Sequence, residues 1–164
     1  MKFTYIKTPL NKYTFVVKPI REWVESRCVG KTLNLFAGKT KLNIDEVRND
    51  IDKIMVADYH LEALEFVKSW KGKFDTIILD PPYAYRKSME LYNGHKASSF
   101  KRAKDLLPKI LKNGGRVITF GYHSVSMGKI RGFKQEEICL FSHGGAIHDT
   151  IAIIEEKIEE GKDE

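Results

Sequence analysis

No apolar run in this chain of 164 residues approaches the ~20 residues that a membrane-spanning helix needs. The start, Met1-Lys2-Phe3-Thr4-Tyr5, lacks the layout of a secretion signal. Cysteine is scarce. Cys28 and Cys139 are the only two, they lie far apart, and neither belongs to a cluster spaced for a metal. Two buried free thiols in a reducing cytoplasm are therefore expected. Glutamine occurs once, at Gln135, against plentiful Lys, Glu and Ile, a balance that fits heat adaptation. Repeats, low-complexity linkers and composition breaks are missing too. These absences argue against a membrane protein, a disulfide scaffold or a metal protein. They leave one domain over 1–164 with an acidic tail at about 155–164.

What is present fits a soluble domain with a real core: 42% hydrophobic and 30% charged residues. The formal charge of +6 is unevenly spread. Residues 155–164 hold six acids against two lysines, so residues 1–154 carry +10. A basic body favours a polyanionic partner through counterion release.

The pattern along the chain alternates strands with helices. Tyr13–Val17 reads as a short strand or extended arm. A helix is predicted from Ile20 to Arg27, with Pro19 placed to start it and Gly30 ending the element. Short strands are predicted at Leu33–Phe36, Glu46–Ile51 and Ile54–Ala57, and a helix over Leu61–Trp70. Phe74–Leu79 is a buried strand. Ser98–Lys112 is a basic amphipathic helix broken or kinked at Pro108, with Asn113-Gly114-Gly115 as its stop. Arg116–Phe120 is a further strand. Glu137–Phe141 and Thr150–Ile154 form an antiparallel hairpin. Such alternation implies a mainly parallel sheet with helices on its faces. Only about nine residues separate Phe36 from Glu46, too few for an ordinary crossover helix, so a loop is expected there.

The most informative residues are Asp80-Pro81-Pro82-Tyr83, directly after the buried strand. A carboxylate, a stiff backbone with exposed carbonyls and a flat ring are the parts needed to grip a planar, amine-bearing base. An exocyclic amine is a poor nucleophile because its lone pair is delocalised into the ring. Hydrogen-bond acceptors on both its N–H groups localise that lone pair and stabilise the charge that develops on it, and the Asp80 carboxylate and the Pro81 carbonyl are the expected pair. The prolines would hold the carbonyl in place, and Tyr83 would stack on an extruded base. The tetrapeptide resembles motif IV of the amino-methyltransferases, which methylate a nucleobase amine with S-adenosylmethionine.

That resemblance implies a class I, Rossmann-like methyltransferase fold: α/β, a mostly parallel seven-stranded sheet and a C-terminal antiparallel hairpin. It also implies S-adenosyl-L-methionine as cofactor and no metal. Leu33-Asn34-Leu35-Phe36-Ala37-Gly38 resembles the family's motif I, a strand followed by Phe-x-Gly. Phe36, Ala37 and Gly38 would approach the cofactor, although Lys39-Thr40 stands where the family usually has a second glycine. Asp50 is expected on the ribose hydroxyls. Asp58 is expected on the cofactor's adenine amine, with Tyr59 against its ring. Lys18-Pro19, ahead of a helix, matches motif X, a wall of the cofactor pocket.

Substrate contacts are expected from the basic and aromatic stretch after the motif. There Tyr85, Arg86, Lys87, Lys101 and Arg102 can meet phosphates and bases, and His123 borders the pocket. The implied activity is methylation of adenine N6 in DNA by a cytoplasmic enzyme. Its partner is nucleic acid, DNA ahead of RNA, and a homodimer or an accessory specificity partner can supply target recognition. An RNA enzyme forming N2-methylguanine or N6-methyladenine, and a non-catalytic binding subunit, are the alternatives.

Overall fold

Five of the six residues of Phe74–Leu79 are buried, and consecutive side chains join different cores. Ile77 and Leu79 pack on one side and Ile78 on the other. A strand covered on both faces belongs at the centre of a parallel sheet. The computed structural model describes residues 1–82, 95–145 and 148–159 and places it there. Strands β1 (Lys2–Lys7), β2 (Thr32–Asn34), β3 (Glu46–Arg48), β4 (Phe74–Leu79), β5 (Leu111–Gly121), β6 (Phe133–Ser142) and β7 (Thr150–Lys157) form a seven-stranded sheet. Their order is β1-β6-β7-β5-β4-β2-β3. Strand β7 runs antiparallel to both β5 and β6, and the other pairings are parallel. The expected α/β architecture with its C-terminal hairpin is therefore present.

Helix α1 (Lys18–Arg27) covers one face through Ile20, Trp23 and Val24, which recur at helical spacing. Trp23 meets Phe120 and Phe141 edge-on at 6.1 and 5.5 Å. Helices α2 (Ala63–Ser69) and α3 (His95–Leu106) cover the other face, around Phe66, Phe74, Phe100 and Leu107. The Glu62 carboxylate caps α2 by accepting from the Leu64 N–H at 2.9 Å. Pro108 falls in a 3-10 turn at Leu107–Ile110 that ends the helical stretch.

Four expectations need correction. Ile54–Ala57 is a loop, with Ile54 and Val56 88% and 84% exposed. Asp50 Oδ1 accepts from the Asp52 N–H and Asp52 Oδ1 from the Ile54 N–H, at 2.9 and 3.0 Å. Those side chains take the donors that a strand ladder would use. The sheet keeps seven strands because β1, which sequence reading missed, pairs with β6 from Lys2↔Glu137 to Lys7↔Ser142. Tyr13–Val17 contains a 3-10 turn at Thr14–Val16 in place of a strand. Asn113-Gly114-Gly115 lies inside β5. The register shifts between Phe74↔Leu111 and Thr76↔Arg116, and Gly114 adopts φ +75° within that bulge. Lastly, the acidic stretch is not all tail. Glu155 is fully buried in β7, and its two oxygens accept from the Met127 and Gly128 N–H groups at 2.9 and 2.7 Å.

Candidate active site

The carboxyl ends of β2, β3 and β4 open onto a cleft of about 920 Å³. In an open parallel sheet this is where ligands bind. The loop leaving β2 supplies Phe36, Ala37 and Gly38; the one leaving β3 supplies Asn49, Asp50 and Asp52; the one leaving β4 supplies Asp80, Pro81 and Pro82. The segment Leu10–Phe15, with Val17 and Ile20, forms another part of the wall.

The β2–β3 connection is held by hydrogen bonds instead of a helix, as its length predicts. The Gly38 N–H donates to Asp50 Oδ2 at 2.8 Å and the Ala37 N–H to the Asn49 carbonyl at 2.9 Å. Asn49 Nδ2 donates to the Leu35 and Leu61 carbonyls, and its Oδ1 accepts from the Leu61 N–H. Beneath them the buried Arg48 donates to the carbonyls of Gly38, Thr40 and Val56 and to Glu46 Oε1, at 2.8 to 3.0 Å. Gly38 sits at φ +65°, and a Cβ built there would meet nothing within 4 Å. The glycine is required by its backbone conformation, and the space above it is open. Lys39, at the place of the family's second glycine, lies with Nζ 4.2 Å from the Tyr13 ring centroid.

Phe36, Ala37, Gly38, Asp50, Asp80, Pro81 and Pro82 thus share one cleft. Others lie apart from it. Lys18 pairs with Glu22 at 3.7 Å on the surface, and Pro19 is not among the lining residues, which there are Val17 and Ile20. Asp58 Oδ2 accepts from the Arg48 N–H at 2.8 Å, a structural bond at the end of β3. Tyr59 packs edge-on against Phe66 and Trp70 at 5.5 and 5.9 Å. Lys101 and Arg102 are exposed on α3. Tyr83, Tyr85, Arg86 and Lys87 lie outside the described residues.

A second cavity, of about 250 Å³, is lined by Pro81, Phe100, Lys104, Thr119–His123, Val125, Ser126 and Ile153. His123 is placed here, in the same lining as Pro81 of the motif. Pro81 and Tyr122 line both cavities, so the two meet at the end of β4. His143 and His148, to which the sequence assigns no role, line the main cleft. The His143 ring bridges strand ends, with Nε2 2.8 Å from Thr150 Oγ1 and Nδ1 3.1 Å from the Pro9 carbonyl. Arg48 and Asn49, which organise the cleft, were also missed. They sit in the polar stretch Asp45–Asp50, where Val47 is the only apolar residue, so nothing in the sequence sets them apart. No group of His, Cys, Asp or Glu among the described residues is arranged to hold a metal, and none of their helices is long and apolar enough to cross a membrane.

No family model matches the sequence, and no curated protein matches it. Solved structures do resemble it. TrmN from Thermus thermophilus superposes with a TM-score of 0.62 at 14% identity, over 90% of this chain and 50% of that one. The chain thus spans half the length of that protein. The N-methyltransferase NodS from Bradyrhizobium japonicum WM9 gives 0.58 at 14%, over 87% and 98%, and has also been solved with S-adenosyl-L-homocysteine. The putative methyltransferase yhhF from Escherichia coli gives 0.56 at 12%, over 94% and 92%. At such identities the likeness defines the fold, which is that of the Rossmann-like S-adenosylmethionine-dependent methyltransferases.

Proposed function

We propose that this chain is an S-adenosylmethionine-dependent methyltransferase that acts on an exocyclic amine of a nucleobase, adenine N6 in DNA being the acceptor of choice. The observation that carries this reading is the placement of Asp80. Its carboxylate ends the central strand, in the cleft that holds Gly38 and Asp50 and beside the second cavity.

The residues present fit the cofactor. Gly38 offers open space over a backbone loop, and Asp50, tied to that loop, presents a carboxylate for ribose hydroxyls. The cleft has the volume for a nucleoside joined to an amino acid. When bound there, the cofactor supplies an activated methyl group on a sulfonium, so no metal is required. Departures from the family pattern lie at Lys39-Thr40, Lys18-Pro19 and Asp58, and Leu10–Phe15 takes over the wall expected of Lys18-Pro19.

Asp80 and the Pro81 carbonyl would each accept one N–H of the amine. This localises the nitrogen lone pair and offsets the positive charge that appears on nitrogen as the N–CH₃ bond forms. One amine proton is then lost to Asp80 or water, which restores a neutral methylamine. Alignment is the remaining contribution: the amine must be held in line and at about 3 Å from the methyl carbon. Tyr83 supplies the stacking ring in this reading, and the basic body supplies attraction to phosphates.

The test is incubation with methyl-labelled cofactor and DNA, ribosomal RNA or transfer RNA, followed by nucleoside analysis. Label in N6-methyladenine from DNA supports the proposal. Label confined to RNA overturns its DNA part, and binding without transfer to any base overturns the enzymatic reading.

A further inference from the structure

The second cavity has a lining of two kinds. Phe100, Phe120, Tyr122 and Pro81 give it flat apolar walls, and Lys104 on α3 gives it a cation. Lys104 is poorly served there. Its Nζ donates to the Ser126 carbonyl at a long 3.5 Å, and that oxygen also accepts from Arg131 Nη1 at 3.3 Å. Nζ lies 4.9 Å from the Phe100 ring centroid. An ammonium carries three protons, so most of its donor capacity is unused by the described residues. Burial first, and the Arg131 charge second, hold its pKa below the ordinary lysine range, against the opposing pull of Glu155 and Asp105. Two further polar groups of the same lining, the hydroxyls of Thr119 and Ser126, are buried without hydrogen-bond partners among the described residues, a condition that native structures seldom leave unexplained. A desolvated cation and idle hydroxyls between aromatic walls suit a flat ligand with hydrogen-bond acceptors on its edge.

We propose that Lys104 is a specificity-determining residue of the amine-methylating site, its ammonium donating to a ring-nitrogen acceptor of the base held at Asp80. This rests on the function proposed above. The chemistry follows from the bases themselves. Adenine flanks its amine with N1 and N7, both acceptors. Cytosine has N3 on one side and only a C–H on the other. A donor-only group facing the N7 side selects purines, whereas one facing the N1 side accepts both bases.

Oligonucleotides carrying adenine, 7-deazaadenine or 1-deazaadenine at the methylated position decide it, with wild type, Lys104→Met and Lys104→Arg. Lys104→Met lowers kcat/KM on adenine by about 10- to 100-fold, the usual effect of one base-edge contact, while S-adenosylmethionine affinity by calorimetry is unchanged. Lys104→Arg restores part of the loss. One of the two deaza substitutions costs wild type the same factor and costs Lys104→Met nothing further, and which one it is names the edge that is read. Should Lys104→Met fail to fold, the same comparison is made between wild type and Lys104→Arg, whose displaced donors give a smaller deaza penalty. Unchanged kcat/KM in Lys104→Met, or equal deaza penalties in wild type and variant, overturns the role of Lys104. Absence of methylation of any base by wild type defeats the underlying functional reading instead.

Discussion

The Gly38 amide donates to the Asp50 carboxylate across 2.8 Å, joining the loop after β2 to the loop after β3. The two halves of the proposed cofactor site are thereby one hydrogen-bonded unit before any ligand arrives. Because φ at Gly38 is +65°, Gly38→Ala places a side chain in a left-handed conformation at a cost of roughly 1–2 kcal/mol. The variant should stay folded, since a Cβ meets no neighbour, and melt about 2–8 °C lower. Its affinity for S-adenosylmethionine should fall by about tenfold or more, the equivalent of ~1.4 kcal/mol, as read by calorimetry.

Arg48 is the deeper support. It is 6% exposed, pairs with Glu46 at 2.8 Å and donates to three loop carbonyls. Arg48→Met removes those donors and leaves Glu46 buried beside no cation. The expected destabilisation is about 3–5 kcal/mol, seen as a lowered urea midpoint. Saturating S-adenosylmethionine should recover part of it through linkage.

How legible this was in the sequence can be judged residue by residue. The central strand announced itself because a strand buried on both faces is a continuous apolar run. Asp80-Pro81-Pro82 announced itself because two prolines after such a strand have few structural reasons to be there. The place of Asp50 in the cleft was legible from its position just after β3, and the missing first crossover helix from simple length. Asp58 was not. Its expected strand, Ile54–Ala57, is a loop, and its carboxylate accepts from the Arg48 N–H outside the cleft lining. The strand expected at Ile54–Ala57 failed because local Asp–backbone bonds outcompeted the sheet. Strand β1 was missed because its alternation, with Phe3 and Tyr5 left exposed, is that of an edge strand with a weak burial signal. Lys104 was hidden among the lysines of a basic helix, where nothing in sequence marks the one that turns inward.

Gly30 gives a purely structural prediction. It sits at φ +60°, and an added Cβ would lie 2.3 Å from Asp75 Oδ2. That carboxylate accepts from the Lys31 N–H at 2.9 Å, while Asp75 Oδ1 pairs with Lys112 at 3.0 Å. Gly30→Ala should cost about 1–3 kcal/mol from strain alone, detected by thermal melting, and Asp75→Ala in the same chain should relieve the clash part of that loss.

The pair Arg27–Glu137 makes stability depend on pH. Burial alone would raise the Glu137 pKa, but the hydrogen bonds from Arg27 and Thr4 outweigh it and hold the carboxyl below the ordinary glutamate range. A depressed folded-state pKa means that the contribution is complete above the unfolded value. It is lost as pH falls through the folded value. Urea midpoints should therefore drop below pH 4.5, and Glu137→Gln should be less stable than wild type at pH 7 with a shallower acid limb. An identical acid limb in the variant would assign that loss to other groups.

Whether the Asp80 carboxylate grips the amine to be methylated is decided by one comparison. Label transfer from S-adenosylmethionine to nucleobases is measured for wild type and Asp80→Ala, with cofactor affinity of both taken by calorimetry. Wild type should form N6-methyladenine, and Asp80→Ala should lose about 10²–10³-fold in rate while binding the cofactor as tightly. Equal transfer rates in the two proteins would contradict it.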